Sequence, residues 1–361
     1  MVNPKDNGLP PMPKEDSVQT PESGGSVLPV LPSASDLENT APDAGPNDLN
    51  KAISGSVSSV WVYLALQVGS AMIVTSLVTL FMMAFNYRGP VDLYVFPVVA
   101  DAVVLLVATV ISGVLAFLYA RNRLGFRQPP AAWKNTKFKA SDVFFGICSC
   151  WTLSVGLGLL VSLFSWLVSL FGVSLNEPDL ALIGESGVDL INLATTVIAA
   201  PILEELIFRG CILESLKKYS TSFAIVFSSL LFALLHMNLV QGIPAFGMGL
   251  VFGWMYVRTG SLSMTIVLHL INNAVSMFST LLPYPLSLMA ELLLAALAAV
   301  GLVFMIREKA NIKAIVFEKY QTAACWKTAS RSVGFWAFVA CAALICILPV
   351  LLAPFYQIAL R

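Results

Sequence analysis

Nine apolar runs, most of them close to the length that crosses a bilayer, occupy the sequence between Val57 and Ala353. About 20 consecutive apolar residues span a hydrocarbon core, and within it every backbone N–H and C=O must be satisfied by the chain itself. Such a pattern demands membrane helices. Only 12% of the chain is charged, against about 25% in an average soluble domain. That is too few charges to cover a water-facing surface of this size, so a cytosolic enzyme, a nucleic-acid binder and a disordered regulator are all excluded. The runs read as Val57–Phe85, Val91–Ala120, Val143–Val173, Val188–Leu213, Phe223–Val240, Ile243–Val257, Leu262–Leu282, Leu286–Ile306 and Val333–Ala353. The expected fold class is all-α, a polytopic integral membrane protein of about eight to nine transmembrane helices.

The start of the chain is different. Residues 1–58 hold nine of the 20 prolines, no aromatic residue, and eight acids against three lysines. Too little apolar bulk is present to offset the entropy of ordering. Residues 1–56 are therefore expected to be a disordered acidic tail. They lack the basic start and early apolar run of a signal peptide. The rest divides into residues 57–142 (two helices and a basic loop), a core over 143–306, and residues 307–361 (a basic loop and an extra helix).

Loop charge orients the set. Basic residues follow the second run (Arg121, Arg123, Arg127, Lys134, Lys137, Lys139), the fourth (Lys217, Lys218), the sixth (Arg258) and the eighth (Arg307, Lys309, Lys313, Lys319, Lys327, Arg331). The loop after the third carries Glu177, Asp179 and Glu185 instead. Lys and Arg collect on the cytoplasmic side. The N-terminus is thus expected in the cytoplasm and the chain in the cell membrane, its partner being membrane lipid rather than nucleic acid.

The informative residues are polar groups inside the runs. An ionised side chain at a helix centre costs about 2.5–3.5 kcal/mol on insertion scales. The fourth run nevertheless holds Glu204, Glu205 and Arg209, and the only two histidines, His236 and His269, also fall in runs. Glu205 and Arg209 are four apart and can pair on one helical face. Glu204 lies about 100° round the helix and is free to face another neighbour or a cavity. Phe232 and His236 are four apart, so the ring can wall the imidazole. His269 and Asn273 share a face in the seventh run, with Asn272 a weaker candidate for it. A carboxylate, two imidazoles and a carboxamide on three helices suit proton transfer and the binding of an oxyanion.

The pattern Glu204-Glu205-x-x-x-Arg209, Phe232-x-x-x-His236, His269-x-x-x-Asn273 resembles the three motifs of the CAAX-protease and bacteriocin-processing (CPBP, or Abi) intramembrane endopeptidases. The resemblance covers roughly residues 143–306. It implies an intramembrane endopeptidase in which Glu204 and His236 activate a water, His269 and Asn273 form an oxyanion hole, and Glu205 and Arg209 hold the helix and orient Glu204. Its substrates would be membrane-associated, prenylated or leader-type peptides.

Two alternatives come from other classes. One is a non-catalytic bacteriocin-immunity or scaffold protein. The other is a proton-coupled transporter, which the absence of duplicated halves with matching broken helices disfavours. Glu204, His236 and His269 are also an acceptable zinc-ligand set, although no HExxH helix is present; metal-free hydrolysis is the preferred expectation. The six cysteines lack metal spacing and are expected to pack as small apolar residues. Gly242, Gly247, Gly249 and Gly253 suit close helix approach, with a substrate entry surface beside Asn238 as the alternative use of that span. Trp61, Tyr87 and Trp133 are expected as interfacial anchors.

Overall fold

The computed structural model describes residues 46–84, 95–170, 188–316 and 319–359. Most of the expected tail, the acidic loop after the third run and Tyr87 lie outside them. Among the described residues all regular structure is helical. In chain order the elements are α1 (Pro46–Ala84), α2 (Val95–Arg123), the single turn α3 (Ala131–Lys134), α4 (Ala140–Ser169), α5 (Val188–Leu193), the π-helix π1 (Ala194–Ala199), α6 (Ala200–Glu205), the π-helix π2 (Leu206–Leu213), α7 (Glu214–Leu216), α8 (Thr221–Leu235), α9 (Leu239–Thr259), α10 (Leu262–Thr280), α11 (Leu286–Arg307), α12 (Lys309–Val316), α13 (Lys319–Ala329) and α14 (Val333–Ala359).

Among the described residues seven helices are long and apolar enough to cross a membrane, and an eighth span results if Thr322–Ala329 and Val333–Leu348, bent by 70°, are counted together. The nine-run count therefore overshoots at the fifth run. There α8 is only 15 residues long, about 22 Å at 1.5 Å per residue, short of a hydrocarbon core of about 30 Å. It stops because Met237 takes a left-handed φ of 49° and Asn238 caps the next helix, its side chain accepting from the N–H groups of Val240 and Gln241. The protein is a multi-pass membrane protein whose outer faces, at Met72, Leu160 and Leu292 for example, are apolar and exposed.

The tail boundary also moves. α1 begins at Pro46, so residues 46–56 are helical rather than part of the tail. Leu49, Ile53, Val57 and Val60 are buried at three- and four-residue spacings, an apolar stripe that continues the first run toward the N-terminus.

α2 packs along α1, α4 lies against α9 and α11, and α8 lies against α9. Glycine sets the α8–α9 approach: a Cβ at Gly249 would come within 2.9 Å of the Ser229 Cβ and 3.1 Å of its Cα. The expected close packing of the glycine-bearing span is thus seen directly. Trp133, expected as an interfacial anchor, makes a contact inside the protein. Its indole N–H donates to the Gly210 carbonyl at 3.1 Å, and its ring stands 3.2–3.3 Å from where a Cβ on Gly210 would be. Trp61 likewise packs inward, its ring 5.2 Å from that of Phe338.

Candidate active site

The fourth run is continuous from Val188 to Leu216 but changes pitch twice. Pro201 explains the first change. A proline has no N–H to give the carbonyl four residues back, and its ring crowds that carbonyl. The chain widens into π1 just before it; the Ala200 N–H bonds to the Thr195 carbonyl, five residues back. Regular α geometry resumes with Pro201 in its first turn. The six residues of α6 end on Glu204 and Glu205, and π2 begins at once. Single π turns of this kind occur frequently at functional sites.

The spacing-predicted pair forms. Arg209 Nη1 donates to Glu205 Oε1 at 2.7 Å, both side chains fully buried. Arg209 Nη2 donates to the Gly249 carbonyl at 3.2 Å. The guanidinium also lies 4.9 Å from the Phe232 ring centre and 5.2 Å from that of Phe252, a cation–π setting that favours a desolvated cation. Sequence spacing could not show the next contact: His269 Nδ1 lies 3.0 Å from the same Glu205 oxygen. A carboxylate only accepts, so Nδ1–H donates and Glu205 joins Arg209 to His269. The brace thus orients His269, where the resemblance gave it the orienting of Glu204.

Glu204 projects elsewhere, as the helical phase requires. Its Oε2 is 3.7 Å from His269 Nε2. Its carboxylate shares a cavity of about 250 Å³ with His236, Thr195, Thr196, Tyr63, Gln67 and Thr109. His236 caps the C-terminus of α8, its Nδ1 2.9 Å from the Phe232 carbonyl. A carbonyl cannot donate, so Nδ1 carries the proton and Nε2 of the neutral ring is left as an acceptor. Phe232 stands edge-on to both imidazoles, its ring centre 5.0 Å from His236 and 5.7 Å from His269.

Asn273 is bonded to its surroundings at both ends of its amide. Its amide donates to the Thr196 carbonyl at 2.9 Å, and its own oxygen accepts from Asn272 at 3.3 Å. Neither His269 nor Asn273 is among the residues lining the cavity. The structure therefore brings Glu204 and His236 into one cavity, sets His269 against both glutamates, and ties Asn273 to the π1 backbone in the cavity wall. Sequence reasoning missed Tyr63, Gln67 and Thr109, which α1 and α2 contribute. It also missed the backbone carbonyls of Thr196 and Gly249, which no side-chain pattern encodes. The proline inside the fourth run was the one signal for the π turn.

Among the described residues no group of three His, Cys, Asp or Glu side chains is placed to hold a metal ion. His236 and His269 each turn Nδ1 to an acceptor within the protein, and His269 Nε2 lies 3.7 Å from Glu204 Oε2. The described cysteines are free thiols.

Residues 186–275 match the family model described as Rce1-like, type II CAAX prenyl endopeptidase Rce1-like. That segment carries all three motifs, so the resemblance to the CAAX-protease family is borne out over residues 186–275, the middle of the 143–306 stretch over which it was read. No curated protein and no solved structure matches the chain.

Proposed function

We propose that this protein is an intramembrane endopeptidase that hydrolyses a peptide bond of a membrane-associated substrate, a prenylated CAAX-type peptide being the first to test. The observation that carries this reading is the shared cavity of Glu204 and His236. A glutamate without a hydrogen-bond donor from the described residues and an imidazole with its lone pair exposed are what an attacking water needs. The family match supports the substrate class.

In this mechanism Glu204 takes a proton from a water that His236 Nε2 orients by accepting its other hydrogen. The water oxygen bonds to the peptide carbonyl carbon, and the C=O electron pair moves onto the carbonyl oxygen. When the tetrahedral intermediate collapses, the C–N bond breaks and Glu204 passes its proton to the departing amine. His269 and Asn273 retain the oxyanion role given by the resemblance, Asn273 through its second amide hydrogen and His269 through Nε2 when its ring is an imidazolium. Glu205 and Arg209 hold His269. No metal takes part.

The test is cleavage of a prenylated CAAX reporter peptide by the purified protein in liposomes. Glu204→Gln and His236→Ala should each reduce turnover by at least about 10²-fold, the range of a lost general acid–base group, while the protein still inserts. The wild-type rate should survive exhaustive chelation, and elemental analysis should find less than one zinc per chain. Full activity of Glu204→Gln would remove the glutamate mechanism. A stoichiometric zinc whose removal stops cleavage would restore the metal alternative.

A further inference from the structure

The oxyanion hole assigned by resemblance is short of donors in this geometry. His269 gives its Nδ1–H to Glu205, so its Nε2 donates only when the ring is an imidazolium. Asn273 has one amide hydrogen on the Thr196 carbonyl. The cavity wall offers few replacements. The Thr195 and Thr196 hydroxyls donate back along their helix to the Ile191 and Asn192 carbonyls, at 2.8 and 2.7 Å. Gln67 is held at both ends, its amide nitrogen 3.3 Å from Thr109 Oγ1 and its oxygen accepting from Ser112, which leaves one amide hydrogen.

Tyr63 is different. It stands in α1, outside the segment that matches the family model. Its side chain is only 5% exposed and its ring belongs to the buried apolar core. It lines the same cavity as Glu204 and His236. Among the described residues no partner is found for its hydroxyl. That hydroxyl is also not one of the sealed, orphaned polar atoms among the described residues, which are Ser154 Oγ, Glu205 Oε2 and Arg209 Nε; it therefore keeps some accessible surface. Buried polar groups almost always have partners, and an exception calls for a missing one. A phenol is a good donor at neutral pH, and a packed ring with two side-chain torsions holds it still.

We propose that Tyr63 is a further catalytic residue, whose hydroxyl donates a hydrogen bond to the carbonyl oxygen of the peptide being cleaved. The inference rests on the hydrolytic reading of Glu204 and His236. As the water oxygen adds to the carbonyl carbon, negative charge grows on the carbonyl oxygen, and the Tyr63 O–H meets it without transferring its proton. A fixed donor of this kind in a water-poor site is worth about 10²–10³ in kcat.

The experiment compares wild type, Tyr63→Phe and Glu204→Gln on the prenylated CAAX reporter in liposomes. Tyr63→Phe keeps the ring and removes only a hydroxyl with no partner among the described residues. Its kcat per folded molecule should fall by roughly 10²–10³-fold with KM within about twofold and melting temperature unchanged. Tyr119→Phe, at a half-exposed position on α2, should behave as wild type. If Glu204→Gln is inactive while Tyr63→Phe keeps the wild-type kcat, the Tyr63 proposal fails and the hydrolytic reading stands. If Glu204→Gln cleaves normally, the hydrolytic reading itself fails. If the Tyr63→Phe loss lies in KM or melting temperature, with kcat per folded molecule unchanged, Tyr63 is structural and the proposal is overturned.

Discussion

Two adjacent glutamates in one helix meet opposite surroundings. Glu205 is fully buried, with one carboxylate oxygen between Arg209 Nη1 and His269 Nδ1; Glu204 faces a cavity. Glu205→Gln leaves the Arg209 cation buried without its counter-charge, and breaking a buried pair in this way costs about 3–5 kcal/mol. Glu205→Gln should therefore lower the melting temperature and the folded yield sharply, and turnover per folded molecule less than Glu204→Gln does. Glu204→Gln should leave the melting temperature nearly unchanged. Thermal unfolding in detergent, read beside single-turnover cleavage of the same samples, checks this; the reverse ranking would mean that the roles are exchanged. The four-residue spacing and the 100° phase made the Glu205–Arg209 pair and the separation of Glu204 legible in sequence, because both are local properties of one helix. The His269–Glu205 bond spans 64 residues and depends on how α10 packs against α6, which no local period records. Tyr63 was hidden for a related reason. In a run read as lipid-facing or packing residues, an aromatic in α1 carries no mark of the cavity that α2 and π1 close around it.

At the scale of elements, the fourth run is built around Pro201. π1 precedes the proline, and its Thr195 and Thr196 wall the cavity. The Thr196 carbonyl holds Asn273. A wide turn changes the angular phase of the residues before it relative to those after it, so π1 sets how Thr196 and Glu204 stand to each other. Pro201→Ala restores the missing N–H and removes the clash with the Val197 carbonyl. Alanine in a helix interior is favoured over proline by about 3 kcal/mol, although here the proline occupies the first turn of α6, where its penalty is smaller. The variant should be at least as stable as wild type and at least about tenfold slower, as the Thr196–Asn273 contact loses register. Equal turnover would show that packing against α10, rather than the proline, holds the π turn. Most of the architecture was legible from apolar runs, since eight of nine correspond to long helices or to the bent pair. The fifth run, at α8, is the remaining one, because composition sees only an apolar stretch. The stop at 236–238 is made by backbone conformation and by the Asn238 cap, with apolar residues continuing on either side.

At the scale of the whole molecule, the residues after α12 lie outside the matched segment, yet they touch the two walls of the cavity. The Trp326 ring of α13 stands 5.0 Å from Phe223 and 6.1 Å from Phe227 on α8. Thr322 hydrogen-bonds Ser220 and Ser222 at the start of α8, at 2.8 and 2.9 Å. On the other side, Trp61 of α1 packs on Phe338 of α14 and gives its indole N–H to the Gly334 carbonyl. Trp61 is two residues from Tyr63, and α8 ends on His236. The bent pair α13–α14 therefore ties the helix bearing Tyr63 to the helix capped by His236, while Glu204, Glu205, Arg209 and His269 sit on α6, π2 and α10, with α8 adding only the Phe232 ring against Arg209 and His269. This division makes a prediction. Trp326→Ala removes a large ring from the α8 contact, a change that costs up to about 3–5 kcal/mol where the ring is fully buried. It should loosen α8 against α1, and a catalytic group displaced by about 1 Å can cost about 10²-fold in rate. The expected result is a clear loss of kcat with a moderate fall in melting temperature. In amide hydrogen exchange, protection should fall at the C-terminal end of α8 and remain in π2 around Arg209. Exchange that rises equally in both places would show that the bundle responds as one unit, and that the C-terminal pair has no particular hold on the cavity.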